Sequence, residues 1–566
     1  MLIAAVPDRV GGARVRRLTD AGAPAGPVEE VADLARIVGQ PDQPGQLGQP
    51  GQLGQLGGGD AERWLWPSTA ESYPGLVRAG VRVARCHDLE LTEALLLGYE
   101  GRWGEPRSLA ALWARTVGAP VPADPPPRAA VPPGDGQGAL FDPEPARSPA
   151  GFDPLTALID GYAAQQARIE TTEHPSRFRL LVAAESAGAL IATEMGLDGL
   201  PWRVDIHDQL LLDLLGEPST MGGPPRKLAE LSRRIADAFG GQRIHPESPA
   251  EVLRAFAREG IPLPSTRAWV LREVEHPAVP LLLEFKELYR IWTAHGWSWQ
   301  HQWVRAGRFH AEYVPAGVVS GRWATRGGGA LQIPKVVRGA VHADPGWTFV
   351  VADAGQLEPR VLAAVSGDER MARAAGAGDM YAALATESFA GDRAKAKVAL
   401  LGAMYGQVGG QAAPALATLR RSYPIAFSYV EDAARVGENG GLVRSWLGRT
   451  CPPASAAFEE LDSAAGPGGA ARARGRFTRN FVIQATTAEW ALALLALLRT
   501  ELAGTGARLV FFQHDEVIVH TPRERAAEVT AAVEAAGDRA RRLLFGDAPV
   551  RFPLGVSTVD CYAHAK

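Results

Sequence analysis

The feature that most constrains the fold is a ten-residue stretch near the C-terminus, Phe511 to His520, in which two acidic residues interrupt an apolar run. Its flanks, Ala507 to Gln513 and Val517 to Thr521, are rich in Val, Phe and Ile, which is typical of half-buried strands. We therefore predict an antiparallel hairpin with the pair Asp515-Glu516 at its apex. Two carboxylates held by strand ends suit a metal ion, although an Asp in a tight turn often only accepts hydrogen bonds from nearby backbone amides.

A second apolar strand that ends in an acid is predicted from Trp347 to Asp353, followed by a helical run to Ser366. If this strand lies beside the hairpin, Asp353 and Asp515 meet at one edge of a sheet. Such a pair could hold two Mg²⁺ ions about 3.5 to 4 Å apart, because Mg²⁺ needs only one or two carboxylates when a substrate supplies phosphates. The implied chemistry is attack of a primer hydroxyl on a nucleotide phosphate. Asp353 alone could instead cap the following helix.

Between these acids, the Ala- and Leu-rich segment from Asp392 to Gly406 is predicted as a helix with its cap at the first residue and its end at the last. Arg393 and Lys397 are four residues apart and share a face near the N-terminus, where the helix dipole also attracts anions. Leu401 and Tyr405 continue this face. Two of the chain's six lysines lie in this helix, which favours a triphosphate-binding face over an ordinary solvated one.

Polar side chains recur every four residues within Ala471 to Gln484, where Arg476, Asn480 and Gln484 share one helical face. Such side chains hydrogen-bond to phosphates, sugars and minor-groove base edges. The apolar run Trp490 to Leu498 is predicted to continue as a helix. One such face means little by itself, but four segments in this order indicate nucleotide chemistry.

With these motifs, roughly residues 177–566 resemble a family-A DNA polymerase of the DNA polymerase I type. The family's first palm motif, Asp-Tyr-Ser-Gln-Ile-Glu-Leu-Arg, appears as Asp-Ala-Gly-Gln-Leu-Glu-Pro-Arg at 353–360. Its fingers motif, Arg-x3-Lys-x3-Phe-Gly-x2-Tyr-Gly, is similar to 393–406, and its final His-Asp-Glu motif stands at 514–516.

Two upstream segments extend the resemblance. Ser320 to Thr325 and Leu331 to Pro334 resemble the Thr-Gly-Arg-Leu-Ser-Ser and Leu-Gln-Asn-Ile-Pro segments that precede the first palm motif. Arg322 is thereby implied as a primer or minor-groove contact.

The resemblance implies a site for two Mg²⁺ ions, with Mn²⁺ as a substitute. The implied ligands are Asp353, Asp515 and the backbone carbonyl of Ala354, with Glu516 as an auxiliary acid near the primer end. Lys397 is implied to donate a proton to the leaving pyrophosphate.

The resemblance also implies the substrates, primer-template DNA and dNTPs. Glu358 would be the steric gate that excludes a ribose 2′-hydroxyl. The implied nucleotide-binding residues are Gln356, Glu358, Arg393, Lys397, Leu401, Tyr405 and Tyr381. The implied DNA contacts are Arg322, Arg476, Asn480, Gln484 and His514.

Four residues depart from the family pattern. Ala354 replaces a Tyr of which only the carbonyl is expected to matter, and Pro359 follows the gate where a starting helix tolerates proline. Leu401 replaces the usual Phe, which puts discrimination against sugar analogues in doubt. Tyr381 stands where the family often has a phosphate-contacting His, and its hydroxyl is a weaker, neutral donor.

The expected fold class is a multidomain α+β right-hand polymerase, with an antiparallel palm sheet and helical fingers and thumb, preceded by a small α/β domain of the RNase H-like exonuclease type. The expected boundaries are 1–118 for the exonuclease-like domain with a low-complexity loop at 40–59, 119–152 for a Pro-rich linker, 153–320 for a mostly helical region that includes the thumb, 321–370 and 485–566 for the palm, and 371–484 for the fingers.

Strands in the N-terminal domain are predicted near Leu2 to Val6, Arg63 to Trp66 and Val81 to Cys86. A proofreading exonuclease needs an Asp-x-Glu on its first strand and two further Asp residues to hold two metals. Asp88-Leu-Glu90 has the spacing, but it opens an apolar helix and is interpreted as a cap with a first-turn acid. We therefore expect a degenerate domain without nuclease activity. A 5′ nuclease domain is not expected.

The composition, 46% hydrophobic with a net charge of −4, is that of a globular protein, and basic residues cluster locally near the predicted DNA contacts. Three well-separated cysteines suggest neither zinc nor disulfides. We expect a monomer in the cytoplasm, associated with the nucleoid, with no signal peptide and no apolar run that spans a membrane. The cluster Trp292, Trp297, Trp299 and Trp303 is interpreted as packing rather than base stacking.

The sequence thus predicts a DNA-templated DNA polymerase without proofreading. Two alternatives stay open at this point. One is a catalytically silent DNA-binding protein with the same fold, which the presence of both metal acids disfavours. The other is a single-subunit RNA polymerase, which Glu358 disfavours.

Overall fold

The computed structural model describes residues 1–8, 11–38, 62–126, 151–219, 222–326, 333–406, 412–454 and 468–565. They form two compact units that each contain several stretches of the chain. The first comprises Met1–Asp198, Glu312–Ala324 and Val350–Thr558, and the second comprises Gly199–Ala311, Thr325–Phe349 and Val559–Lys566. Helix and sheet are mixed, so the expected multidomain α+β fold is confirmed. The predicted loop at 40–59 and most of the predicted linker lie outside the described residues.

The first unit opens with a five-stranded sheet. Its strands are β1 (Leu2–Pro7), β2 (Ala13–Leu18), β3 (Pro24–Val31), β4 (Arg63–Trp66) and β5 (Arg85–Asp88). They lie in the order β3-β2-β1-β4-β5, in which β1 pairs antiparallel with β2 and parallel with β4. The strands predicted near Leu2 to Val6 and Arg63 to Trp66 are confirmed as β1 and β4. The prediction from Val81 was wrong in extent, because residues 81–84 lie outside any strand and β5 begins at Arg85.

Six helices accompany this sheet. They are α1 (Leu34–Val38), α2 (Thr69–Arg78), α3 (Leu89–Tyr99), α4 (Leu109–Val117), α5 (Pro154–Glu170) and α6 (Pro175–Asp198). Leu190 of α6 belongs to the same buried cluster as Trp64 and Trp66 of β4. The long helix α6 is therefore part of the core of the N-terminal sheet.

The second unit is mostly helical. Its helices are α7 (Val204–Leu215), α8 (Arg226–Ala238), α9 (Pro249–Arg258), α10 (Ala268–Leu271), α11 (Ala278–His295) and α12 (Trp297–Trp303). A small sheet joins β6 (Leu200–Pro201), β7 (Val304–Arg305) and β8 (Arg308–Phe309) in the order β6-β8-β7. Trp299 is buried with its ring centroid 4.9 Å from that of Phe309, and Trp292 and Trp297 pack on the helical core. These contacts favour the packing interpretation of the Trp cluster.

The remaining strands are β9 (Glu312–Val314), β10 (Ala324–Arg326), β11 (Trp347–Ala354), β12 (Arg508–Gln513), β13 (Glu516–Pro522) and β14 (Leu554–Val559). The last four form one sheet in the order β12-β13-β11-β14. Around it lie α13 (Leu357–Ser366), α14 (Glu369–Ala375), α15 (Met380–Ser388), α16 (Arg393–Tyr405), α17 (Ala412–Ser422), α18 (Pro424–Glu438), α19 (Gly469–Glu501) and α20 (Ala526–Phe545). Short 3-10 helices span Lys335–Ala340, Arg523–Arg525 and Tyr562–His564.

Two helices, α6 and α19, are long and apolar enough to cross a membrane by length and composition alone, contrary to the expectation that no apolar run would be. In the most apolar window of each, 67% and 83% of the residues are buried inside the fold. This burial is what a core helix of a globular domain requires, because its apolar side chains must pack against neighbours on most sides.

Candidate active site

The acidic hairpin forms as predicted but with a shifted apex. Strand β12 pairs antiparallel with β13, and the last pair before the turn is Gln513 with Glu516. The turn residues are therefore His514 and Asp515, and the prediction of an Asp515-Glu516 apex was wrong by one residue. His514 adopts a left-handed conformation with φ +57°, which His tolerates better than most side chains. Glu516 is buried at 5% exposure, whereas Asp515 stays partly accessible.

The strand that carries Asp353 lies directly beside this hairpin. In the sheet, β11 is the neighbour of β13, and the Ala354 N–H donates to the Asp515 carbonyl oxygen at 3.0 Å. Asp353 is partly exposed. It is not a helix N-cap, since α13 begins at Leu357 and its N-cap is Gln356. The two predicted metal acids are thus brought to adjoining backbone positions at one edge of the sheet.

Helix α13 follows β11 after a sharp turn. Its N-cap, Gln356, has a left-handed backbone with φ +58°. Pro359 is the third residue of this helix, not the first as predicted. Proline is still tolerated there, because the first four N–H groups of a helix have no intrahelical acceptor.

The predicted fingers helix forms within one residue of its expected bounds. The Asp392 carboxylate accepts from the Lys395 N–H at 2.9 Å, and Gly406 ends the helix in a left-handed conformation. Arg393 and Lys397 are exposed near its N-terminus. Farther along the same face, Leu401 is partly buried and Tyr405 is exposed.

Arg393 is held by a carboxylate that sequence reasoning did not assign to the site. Its Nε donates to Asp379 Oδ2 at 2.7 Å, and its guanidinium lies 5.5 Å from the Tyr381 ring centre. Burial opposes ionisation of Asp379, but hydrogen bonds from Arg393 and Gln356 lower its pKa to about 2. Asp379 therefore stays charged at neutral pH. Burial also raises the pKa of the neighbouring Tyr381 hydroxyl.

The Gln356 side chain connects the Arg393–Asp379 ion pair to Arg360 of α13. Its Nε2 donates to Asp379 Oδ1 at 2.7 Å, while its Oε1 accepts from the Met380 N–H at 2.8 Å and from Arg360 at 3.2 Å. Arg360 is fully buried and donates otherwise to backbone carbonyls, and burial lowers its pKa to about 10. A hydrogen-bonded chain thus runs from Arg360 through Gln356 and Asp379 to Arg393.

Glu358 bridges three elements of the site. Its carboxylate accepts from Arg322 at 2.7 Å and from the Tyr405 hydroxyl at 2.5 Å. Burial and this hydrogen bond raise the pKa of Tyr405 well above its usual range. Burial and the nearby positive charge of Arg322 lower the pKa of His514. Glu358, the predicted gate, Arg322, the predicted primer contact, and Tyr405, a predicted nucleotide contact, are therefore one connected group.

The third polar face lies on α19, which is a single continuous helix. Arg476, Asn480 and Gln484 stay at least partly accessible, whereas Thr478 and Arg479 between them are buried. A Cβ on Gly406 would lie 2.8 Å from the Arg476 side chain. The end of the fingers helix therefore lies against the first residue of this polar face.

A family model for DNA polymerase family A matches residues 225–558, which is more than half of the chain. The chain belongs to DNA polymerase family A. The match covers the acids of the palm edge, the fingers helix and the polar face of α19.

Several DNA polymerases I are similar to this chain. The thermostable DNA polymerase I of Thermus thermophilus is 27% identical over 331 residues, 52% of this chain and 37% of that protein. The Thermus aquaticus protein is 26% identical over 71% of this chain and 46% of its own length, and DNA polymerase I of Pseudomonas aeruginosa is 25% identical over 72% and 47%. The chain spans less than half the length of these curated relatives.

Among solved structures, the POL domain of Pol1 from M. smegmatis, in complex with DNA primer-template and dNTP, is similar with a TM-score of 0.68. The match covers 100% of this chain and 95% of that chain at 16% sequence identity. At this identity the likeness establishes the fold.

The protein has a second acidic pair, in its N-terminal sheet. Asp88 ends β5 at 2% exposure, and its carboxylate accepts from the Leu91 N–H at 2.9 Å and the Thr69 N–H at 2.7 Å. The interpretation as a helix cap is confirmed. Burial raises the pKa of Asp88, and burial together with the charges of Asp88 and Glu71 raises the pKa of Glu90 to about 8.

Asp379 and Arg360 are the site residues that sequence reasoning missed. Asp379 is the N-cap of α15 and precedes Tyr381 by two residues, so its type and place already suggested a cap. Its second role depends on contacts with α13 and α16, which only the tertiary fold reveals.

Proposed function

We propose that the protein is a DNA-templated DNA polymerase that adds dNTPs to a primer 3′-hydroxyl. The observation that carries the proposal is the hydrogen bond from Ala354 to Asp515, because it brings the strand ends of Asp353 and Asp515 together. Helix α16, with exposed cations near its N-terminus, is linked to the residues that follow Asp353 by hydrogen bonds from Arg393 through Asp379 to Gln356 and from Tyr405 to Glu358. Paired carboxylates next to an anion-binding helix are what transfer of a nucleotide from its triphosphate requires.

The donor set fits Mg²⁺ well. Asp353 and Asp515 are partly accessible carboxylates, and the Ala354 carbonyl is a third hard oxygen donor that Mg²⁺ would accept. Among the described residues no group of three or more His, Cys, Asp or Glu could hold a metal by itself, which suits an ion that completes its shell with substrate phosphates. Two bound ions would activate the primer hydroxyl and neutralise charge on the leaving pyrophosphate. Mn²⁺ would substitute, since its ligand preferences are similar.

Around these acids, the chain's own residues would bind and orient the nucleotide. Arg393 and Lys397 would bind the triphosphate, with Lys397 as proton donor to the leaving pyrophosphate. Glu516 is buried and would support the ligands indirectly. The remaining proposed nucleotide contacts are Gln356, Glu358, Leu401, Tyr405 and Tyr381.

Glu358 would discriminate between sugars. Its carboxylate is fixed by Arg322 and Tyr405, so it cannot swing away from an added hydroxyl without losing two hydrogen bonds. A ribose 2′-hydroxyl would meet this carboxylate. The proposed preference is therefore for deoxynucleotides.

Primer-template DNA would lie along the accessible face of α19. Arg476, Asn480 and Gln484 are spaced for successive contacts along one strand, and Arg322 and His514 would contact the primer end. With these roles we assign 321–370 and 485–566 to the palm, 371–484 to the fingers and the thumb to 153–320. The enzyme would act as a monomer on nucleoid DNA in the cytoplasm.

We infer that the N-terminal domain, residues 1–118, is a degenerate relative of a 3′-5′ exonuclease. Three antiparallel strands followed by two parallel ones support an RNase H-like sheet. Its first strand, Leu2–Pro7, contains no acid, and the carboxylate of Asp88 is occupied by two backbone amides. We expect a 3′-mismatched primer to keep its length with Mg²⁺ and no dNTP; rapid shortening would overturn this inference.

Primer extension tests the proposal. We expect the wild-type protein to extend a primed template with dNTPs and Mg²⁺, to use rNTPs poorly, and to lose extension in Asp515→Ala. Asp538→Ala is a matched control, because Asp538 is a surface acid of α20 paired with Arg541. Binding without extension would indicate a silent DNA-binding protein, and efficient use of rNTPs would indicate an RNA polymerase.

A further inference from the structure

A cavity of about 240 Å³ lies in the first unit, away from the palm acids. It is bounded by the end of α3, the first turn of α6, helix α18 and the segment that follows α18. The residues that matter for its chemistry are Tyr99, His174, Arg177, Tyr429, Arg444 and Trp446. It is therefore lined by cations and aromatic rings.

The two guanidinium groups of this cavity lie on rings instead of pairing with acids. Arg177 lies 3.6 Å from the Trp446 ring centre, and Arg444 lies 4.1 Å from that of Tyr99. Within the described part of the chain, neither has a carboxylate partner. Arg444 Nη2 donates to the Tyr99 carbonyl oxygen at 3.1 Å, and this is a backbone contact that leaves the charge of the guanidinium without a counter-ion. The charges of these two cations are therefore available to an anion that enters the cavity.

Neighbouring arginines behave differently. Arg102 pairs with Glu105 at 2.6 Å, Arg168 pairs with Glu93 at 2.8 Å, and Arg179 pairs with Glu170. The one acid at the rim of the cavity, Glu173, has a side chain that is 72% exposed and screened by water. The excess positive charge is thus specific to the cavity.

Helix α6 adds to this potential, because its first turn borders the cavity and it is 24 residues long. Free N–H groups and the dipole of a helix N-terminus attract phosphate. Together with Arg177 and Arg444 they favour binding of a phosphate in this cavity.

The aromatic wall is held in a fixed orientation. The Trp446 Nε1–H donates to the Leu544 carbonyl at 2.7 Å, and the Trp446 backbone N–H donates to Thr486 Oγ1 at 3.1 Å. Aromatic rings beside cations form the stacking platforms that bind unpaired bases without sequence preference. The cavity volume is below the roughly 300–1,000 Å³ of a site that encloses a whole small ligand. The ligand must therefore extend beyond the cavity, as a nucleic-acid strand would.

We propose that this cavity binds one nucleotide of an unpaired template strand, with the phosphate on the guanidinium edges of Arg177 and Arg444 and the base on the guanidinium planes that cover Trp446 and Tyr99. This inference rests on the proposed function, since it supposes a template. Thr486, which holds Trp446, lies on α19 two residues beyond Gln484. The cavity therefore borders the helix that carries the proposed primer-template contacts, on another face.

The test compares primer-templates that differ only in the length of the single-stranded 5′ template overhang. For the wild-type protein, we expect affinity to rise by roughly tenfold once the overhang reaches the cavity. The double variant Arg177→Ala/Arg444→Ala should lose this increment and keep its affinity for a short overhang. The matched control Arg102→Ala/Arg179→Ala removes two paired cations and should keep the increment. Fluorescence anisotropy at fixed salt measures all three proteins.

Two further measurements keep the outcome clear. Thermal melting checks that each variant folds, and Arg177→Lys/Arg444→Lys retains the charges if the alanine pair does not fold. Equal overhang dependence in the wild type and the folded cavity variant would overturn the proposal. It would also be overturned if dAMP alone bound in an Arg444-dependent manner while overhang length had no effect. Extension of a short-overhang primer by the cavity variant separates failure of this inference from failure of the proposed polymerase activity.

Discussion

Two regions of the molecule place acidic residues at the end of a β-strand that leads into a helix, and they differ in how many residues lie between the acid and the helix. In the N-terminal sheet, α3 begins directly after Asp88, and the carboxylate accepts from the Leu91 N–H in the first turn of that helix. In the palm sheet, three residues separate Asp353 from the start of α13, and Gln356 occupies the cap position.

The difference has a direct chemical consequence. A carboxylate that caps a helix and is 2% exposed, as Asp88 is, has its oxygen lone pairs directed at backbone amides and little access to an ion. Asp353 and Asp515 remain partly accessible at adjoining strand ends. The literal Asp-x-Glu spacing of Asp88 and Glu90 is therefore a poor guide to metal chemistry, whereas the position of the acid relative to the helix start is informative.

The largest expected effect is loss of nucleotide transfer when a palm acid is removed. Metal-assisted charge stabilisation contributes several kcal/mol, so Asp353→Ala should lower kcat by about a thousandfold. Asp88→Ala should leave kcat unchanged at a temperature where it is folded. Single-turnover extension measures both. A similar loss in the two variants would remove the distinction between the regions.

The next effect concerns Arg393, one of the exposed cations near the N-terminus of α16. Arg393→Ala should weaken dNTP binding by roughly 10- to 100-fold, because a charge-assisted hydrogen bond contributes about 1.5–3 kcal/mol. Arg373→Ala, an exposed arginine of α14, is the matched control and should change the affinity less than about twofold. Pre-steady-state titration of dNTP gives these constants, and equal losses in both variants would argue against a specific triphosphate site.

The third effect is on stability. Asp88→Ala removes the cap of α3 and leaves the Thr69 and Leu91 amides without their acceptor, which should cost about 1–3 kcal/mol. Thermal melting should show a lower Tm for Asp88→Ala than for the wild type. A Tm equal to that of the wild type would contradict the structural role assigned to this acid.

The smallest effect is a pH dependence. The pKa of Glu90 is raised to about 8 in the folded protein from its ordinary value of 4.5, so the folded state binds its proton more tightly than the unfolded state. Stability should therefore fall as pH rises through this interval. Glu90→Gln should remove this dependence, so its Tm relative to the wild type should rise between pH 5 and pH 8. A constant Tm difference would show that Glu90 is not the titrating group.

Motifs dominated by local chemistry were predictable from the sequence. The fingers helix begins after Asp392 and ends before Gly406 because capping and helix termination are local. The hairpin apex was misplaced by one residue, since the pairing of Gln513 with Glu516 depends on strand register and on the irregularity between Leu509 and Phe511.

Features set by tertiary contacts were not predictable. Strand β3 was missed because it is mostly exposed and contains two prolines, so it has no apolar alternation. The hydrogen-bonded chain from Arg360 through Gln356 and Asp379 to Arg393 joins three helices, and no residue spacing encodes such a contact. The same holds for the bridge between Arg322 and Tyr405 through Glu358.

The measurement that tests the central claim most directly is rapid-quench incorporation of one correct dNTP by the wild type, Asp515→Ala and Asp88→Ala proteins bound to the same primer-template. We expect equal DNA binding by all three, incorporation by the wild type and Asp88→Ala at the same rate, and none by Asp515→Ala on that timescale. Incorporation by Asp515→Ala at the wild-type rate would contradict the assignment of the palm edge as the catalytic site.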